Sequence, residues 1–255
     1  MSAGLVARLR SPLRARADFS EVLATPWVSV PAGEMARRRV YLDGQGSVSL
    51  GEVCDVKGEP AGRIRFEGDL SPVDRLAAGL TEGEVVVDGN LGGGAGAGMA
   101  GGSVEITGDA GLGTGGATLE ARRGMTGGEI VVHGSVGGEA GSRMRRGMVV
   151  VGRDAGADAG FGIIAGSVII LGGATGEVGL WSKRGSIVAL GAVSVPITYR
   201  YACTYRPPHL RVTLRRLRAR YSLPVEERHL TGLYRRYSGD LADLGRGEIL
   251  SWSAE

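Results

Sequence analysis

Gly62-Arg-Ile-Arg-Phe-Glu-Gly68, Gly83-Glu-Val-Val-Val-Asp-Gly89, Gly102-Ser-Val-Glu-Ile-Thr-Gly108, Gly128-Glu-Ile-Val-Val-His-Gly134, Gly147-Met-Val-Val-Val-Gly-Arg153, Gly166-Ser-Val-Ile-Ile-Leu-Gly172 and Gly185-Ser-Ile-Val-Ala-Leu-Gly191 are seven versions of one phrase. Their opening glycines are separated by 21, 19, 26, 19, 19 and 19 residues. In each, the second and fourth residues after the glycine are apolar: Ile64 and Phe66, Val85 and Val87, Val104 and Ile106, Ile130 and Val132, Val149 and Val151, Val168 and Ile170, Ile187 and Ala189. Side chains alternate between faces along a strand, so these positions share the inner face. One β-run per period of about 20 residues is the pattern of a stacked repeat, in which no unit buries its apolar face alone. A βαβ unit needs about 30 residues, more than the spacing of 19 provides. The expectation is an all-β, right-handed parallel β-helix of about seven coils.

Working outward, residues 1–45 read as an N-terminal cap, residues 46–196 as the repeat region and residues 197–255 as a C-terminal extension. The cap is expected to cover the unpaired edge of the first coil. In the extension, Leu210, Leu214, Leu217 and Tyr221 fall on one helical stripe within 206–221, with Arg211, Arg215, Arg218 and Arg220 off it. Pro207 and Pro208 suit the start of that helix, and Pro224 lies beyond its end.

The third residue of each run faces outward, and there the sequence places Arg65, Val86, Glu105, Val131, Val150, Ile169 and Val188. An outward aliphatic ladder of Val86, Val131, Val150, Ile169 and Val188 needs a cover, because contiguous exposed apolar patches mark interfaces. Either the C-terminal extension folds back on it or another subunit docks there. The repeat of 26 carries an insertion from Gly116 to Gly128, and Arg122, Arg123, Arg143, Arg145 and Arg146 fall on the same edge of successive repeats, followed by Lys183 and Arg184. They line a candidate basic strip for an acidic ligand or partner, against the alternative of a solvated charge run.

The 255 residues, 43% hydrophobic, suffice for a real core. A net charge of +3 with 5% aromatic residues gives no footprint of nucleic-acid binding. No apolar run reaches membrane-spanning length and no leader is recognisable, so a cytoplasmic protein is expected, with Cys54 and Cys203 as reduced core residues. Chemistry is harder to find. The GxGxxG matches Gly96–Gly101 and Gly111–Gly116 lack the strand-to-helix setting of a dinucleotide site. His133, His209 and His229 have no ligand spacing, and Asp154 and Asp158, the best carboxylate pair, sit where corner capping is the ordinary use. No catalytic residue and no metal site are expected in this chain. A free-standing polysaccharide-cleaving enzyme is disfavoured for want of paired acids on adjacent repeats.

The glycine spacing GxxGxxxG at Gly89, Gly92, Gly96, at Gly108, Gly111, Gly115 and at Gly134, Gly137, Gly141, together with Arg123-Gly-Met-Thr-Gly-Gly128, resembles the family of glycine-repeat, C-type subunits of formylmethanofuran dehydrogenase. Members occur in the formyltransferase/hydrolase complex of methylotrophs and in molybdenum or tungsten formylmethanofuran dehydrogenases; a related repeat domain ends the large subunit of glutamate synthase. The resemblance implies a non-catalytic structural subunit beside amidohydrolase-like, formyltransferase and dehydrogenase-like subunits. Such a complex transfers formyl from formyl-tetrahydromethanopterin to methylofuran and hydrolyses it to formate, with zinc in a partner subunit. The corresponding subunit of the dehydrogenase and a glutamate-synthase-type domain are the alternatives. Because the family's carrier bears a polyglutamate chain, the resemblance makes Arg122, Arg123, Arg143, Arg145 and Arg146 candidate carboxylate contacts.

Overall fold

The structure, a computed structural model, describes residues 4–24, 26–117 and 122–254. At the N-terminal end lie β1 (Leu5–Leu9), β2 (Ala17–Asp18), the short helix α1 (Ala32–Met35), β3 (Arg39–Leu42), β4 (Gly46–Ser49), α2 (Leu50–Val53) and β5 (Cys54–Lys57). The repeat region supplies β6 (Arg63–Glu67), β7 (Val73–Asp74), β8 (Glu84–Asp88), β9 (Ser103–Ile106), β10 (Glu129–Val132), β11 (Met148–Val151), β12 (Ser167–Ile170) and β13 (Ser186–Ala189). The extension adds β14 (Arg200–Tyr205), α3 (Pro208–Tyr221), α4 (Glu227–Thr231), β15 (Leu233–Gly239) and β16 (Gly247–Ser253).

These strands form a 12-stranded sheet in the order β14-β15-β16-β13-β12-β11-β10-β9-β8-β6-β1-β5 and a 4-stranded sheet in the order β4-β3-β2-β7. That corrects the expected right-handed parallel β-helix of about seven coils: the main sheet is mixed, and a closed coil is not what joins its strands. The seven repeat runs do pair parallel and in register, so that Val149, for example, stands between Ile130 and Val168. The departures have two causes. Each repeat has only one run long enough to build a ladder; elsewhere the repeats meet through isolated bridges, Leu70–Leu91–Ala110–Val136–Ala155–Ala174, between glycine-rich turns. Both ends of the parallel stack are then finished by antiparallel pairing, β1 with β5 on one side and β16 with β15 and β15 with β14 on the other. Only β15 and β16 are joined by a short connection; β1–β5 and β14–β15 pair strands far apart in the chain, so that the segments flanking the repeats cover the open edges.

The inner face is apolar as the period of two demands. Ile64, Phe66, Val85, Val87, Ile130, Val132, Val168 and Ile170 are all fully buried in one continuous core, which also takes in the column Met99, Met125 and Met144. Between the repeats, short polar side chains satisfy backbone donors that the bridges leave open. Asn90 Oδ1 accepts from Asp109 N–H at 2.9 Å, Asp109 Oδ1 from Ser135 N–H at 2.7 Å, and Asp154 Oδ1 from Gly173 N–H at 2.7 Å. Asp154 thus caps a repeat junction, and Asp158 holds a turn position with φ +61°. Glycine is required where repeats touch: a Cβ on Gly137 would lie 2.7 Å from Leu112 N and 2.9 Å from Gly111 C.

The outward ladder is covered in cis. Val131, Val150, Ile169, Val188 and Leu250 stand side by side in register and are buried in a second core with Leu210, Leu214, Leu217 and Tyr221 of α3. Five strands at about 4.8 Å make a row about 19 Å long, and the stripe from Leu210 to Tyr221 spans about 16 Å of helix, so the two surfaces match in length. Val86 is buried too, but lies outside this cluster, flanked in register by Arg65 and Glu105. Where the row turns polar, the helix ends. Arg216 pairs with Glu129, and Tyr221 donates its hydroxyl to Glu129 Oε1 at 2.5 Å. Burial works to raise the Glu129 carboxyl, but these two hydrogen bonds and the Arg216 charge outweigh it and hold it below its ordinary value. Pro207 and Pro208 open α3 and Ser222 closes it with φ +53°.

One cysteine departs from expectation. Cys54 is buried, and burial pushes its thiol up to about 12, whereas Cys203 is exposed on the edge strand β14 rather than in the core. Among the described residues no helix is long and apolar enough to cross a membrane.

Candidate functional site

The repeats turn their corners through residues in the left-handed backbone region, spaced two apart: Arg75, Ala77 and Gly79; Gly94, Gly96 and Gly98; Gly113 and Gly115; Glu139, Gly141 and Arg143; Asp158, Gly160 and Gly162; and Gly179 and Trp181. Glycine adopts this conformation without penalty, whereas a residue with a Cβ loses about 1–2 kcal/mol. Most of these places are glycine for that reason. Arg75, Ala77, Glu139, Arg143, Asp158 and Trp181 are not, and of these Arg143 and Trp181 stand in one column, Arg143–Gly162–Trp181, tied by Arg143 N–H to Phe161 O at 2.7 Å and Gly162 N–H to Leu180 O at 2.7 Å. Bulky residues kept in a strained backbone region point to a use for their side chains.

That use is a groove of about 520 Å³ walled by Arg122, Arg143, Phe161, Gly162, Ile164, Trp181, Lys183 and Asp243. The Arg143 guanidinium lies 5.9 Å from the centre of the Phe161 ring. Gly162 leaves the space between Arg143 and Trp181 open, since a Cβ there would come within 3.3 Å of the Arg143 side chain. Trp181 is 54% exposed and its backbone N–H donates to Asp240 Oδ2 at 2.8 Å, which anchors the loop that carries Asp243. Lys183 Nζ is 3.3 Å from Asp243. Arg122 and Arg143 have no carboxylate partner among the described residues. The result is an aromatic and aliphatic floor under two guanidinium groups, a combination that suits a ligand with carboxylates on an apolar stem.

The expected strip is therefore gathered only in part. Arg122 and Arg143 meet in the groove; Arg123, Arg145 and Arg146 are exposed nearby but do not line it. Part of the insertion, residues 118–121, lies outside the described residues. Phe161, Ile164 and Trp181 belong to no charge pattern, although the sequence holds one signal for them: Trp181 and Arg143 occupy a column whose phase asks for glycine.

The histidines do other work. His133 Nε2 is 2.9 Å from Glu105 Oε1 on the outer face, and His229 is buried at the start of α4, where its Nδ1 accepts from Glu226 N–H at 3.2 Å. Among the described residues, no three His, Cys, Asp or Glu side chains gather as metal ligands.

No family model matches the chain, and no curated protein sequence matches it. Among solved structures, it is similar to a chain in the X-ray crystal structure of the formyltransferase/hydrolase complex FhcABCD from Methylorubrum extorquens, determined in complex with methylofuran. The two are 29% identical with a TM-score of 0.76, and the match covers 98% of this chain and 100% of that one. The likeness therefore takes in both ends of the sheet and the helix across it, not the repeats alone.

Proposed function

We propose that this chain is a structural, non-catalytic member of a formyltransferase/hydrolase complex, filling the place of its glycine-repeat subunit, and that it touches the acidic tail of a methylofuran-type carrier. The observation that carries this reading is the end-to-end likeness to a chain of that complex. In such an assembly the amidohydrolase-like, formyltransferase and dehydrogenase-like partners perform or frame the chemistry, zinc belongs to a partner, and the repeat sheet holds them at fixed separation. Transfer of formyl from formyl-tetrahydromethanopterin to the carrier and hydrolysis to formate are activities of the whole.

For the carrier contact, Arg122 and Arg143 in the groove are the first anchors, and Arg123, Arg145 and Arg146 extend the positive edge along the next repeats. Guanidinium groups bind carboxylates by paired, charge-assisted hydrogen bonds, which suits a chain of glutamates. The test is co-expression with the three candidate partners, followed by size exclusion and formate release. A stoichiometric complex whose activity requires all members is expected, and failure to assemble overturns the assignment. Within the assembled complex, Arg143→Glu and the pair Arg145→Glu/Arg146→Glu should raise the KM for the carrier with little change in kcat; an unchanged KM overturns the contact.

A further inference from the structure

A second groove, of about 760 Å³, lies on the outer side of α3, away from the first. Arg206, Arg211 and Arg215 stand along it, Val212 and Leu230 supply apolar surface, and His229 closes one end; no carboxylate lines it among the described residues. The rest of the helix is treated differently. Arg216 is paired with Glu129, Arg218 lies 3.4 Å from Glu227, and Arg220 stacks on Tyr221. By contrast Arg206 hydrogen-bonds the backbone oxygen of Thr231 at 2.8 Å, and Arg211 and Arg215 have no acidic partner among the described residues. Like charges four residues apart on a helix repel one another. A chain that neutralises the arginines on one side of α3 while converging three on an acid-free groove leaves a place for negative charge from elsewhere.

The spacing says which kind. Arg211 and Arg215 are one helical turn apart, about 6 Å along the axis. Alternate residues of an extended peptide repeat every 6–7 Å or so. We propose that this groove docks an extended acidic segment of a partner protein, with carboxylates at alternate positions. The proposal does not depend on the function assigned above, because it stands on the charge and shape of the groove alone.

Fluorescence anisotropy of the full chain with a fluorescein-labelled Glu-Leu-Glu-Val-Glu peptide tests it. The acidic peptide should bind, its Gln-Leu-Gln-Val-Gln counterpart should not, and binding should weaken as salt rises. Arg211→Glu/Arg215→Glu should weaken binding by about tenfold or more, given that each exposed ion pair contributes up to about fivefold. Arg14→Glu/Arg37→Glu, at the N-terminal end, should leave it unchanged. Both arginines are exposed, and the milder Arg211→Gln/Arg215→Gln pair gives a second, smaller loss should the reversal disturb folding. Equal loss from both reversed pairs, equal binding of the glutamine peptide, or binding of inorganic phosphate at Arg211 and Arg215 with none of the peptide would each overturn the proposal.

Discussion

Replacing Leu214 by alanine removes the middle knob of the helix that covers the outer ladder. Leu214 is fully buried among Val131, Val150, Ile169, Val188 and the neighbouring leucines of α3. The floor beneath it is a hydrogen-bonded parallel sheet in strict register, which cannot collapse to fill the space. Among buried leucine truncations the loss runs from about 2 to 5 kcal/mol, and a rigid floor keeps this one off the low end, at about 3–4 kcal/mol. For a chain of this size each kcal/mol lowers the melting temperature by about 2–4 °C, so the midpoint should fall by about 6–16 °C. Val212→Ala on the exposed side of the same helix supplies the control and should stay within about 0.5 kcal/mol. Thermal unfolding followed by circular dichroism reads the global effect, and hydrogen exchange over 208–221 reads local release of the helix. If Leu214→Ala proves as harmless as the control, with exchange in α3 unchanged, the helix does not seal the ladder and the account of the second core is wrong.

Gly137→Ala drives a Cβ into the backbone of Leu112 and Gly111 and should destabilise by about 3 kcal/mol, whereas Gly113→Ala, with open space around it and only its φ of +75° to oppose it, should lose about 1 kcal/mol; urea titration ranks the two. Because Glu129 is held below its ordinary value in the folded chain, its contribution is present above the unfolded carboxylate value of about 4.3 and disappears as pH falls through the lower folded value. Glu129→Gln should therefore lower stability at pH 7 and flatten the acid limb below about pH 4, as melting temperatures across pH 3–7 would reveal. An aromatic disulfide reagent at pH 8 should titrate Cys203 quickly, while Cys54, buried and pushed up to about 12, reacts only on unfolding; two fast equivalents would contradict the burial of Cys54.

The parallel pairing of the seven runs is legible in the sequence because apolar residues at every second position and a period of 19 leave little freedom of register. The helix at 208–221 is legible for the same reason, from Leu210, Leu214, Leu217 and Tyr221 at helical spacing. Where the pattern misleads is closure. A repeat reports what each unit buries and says nothing of how the ends are finished, and here the ends decide the topology: β1 and β5 on one side, β14 to β16 on the other, none of them part of the repeat. The choice between a cover in cis and one in trans is likewise invisible in the sequence, since an apolar ladder and an apolar helical stripe need each other only once their lengths and positions are known. The groove is half legible. Its cations lie at repeat spacing, but its floor comes from Phe161, Ile164 and Trp181, which no charge pattern would group.

The helix across the outer face also governs how the molecule comes apart. Each repeat touches only its neighbours, so an unbraced stack would fray strand by strand from whichever end loosened first. Helix α3 lies over β10, β11, β12, β13 and β16 at once and is pinned at its far end by Glu129. Those five strands are splinted into a single opening unit, while β6, β8 and β9, which carry Arg65, Val86 and Glu105 outward, have no helix across them among the described residues and should open in smaller steps. The chain thus has a stiff half and a compliant half joined within one continuous sheet, and the basic groove, the strained Arg143 and Trp181 and the acid-free arginines all belong to the stiff one.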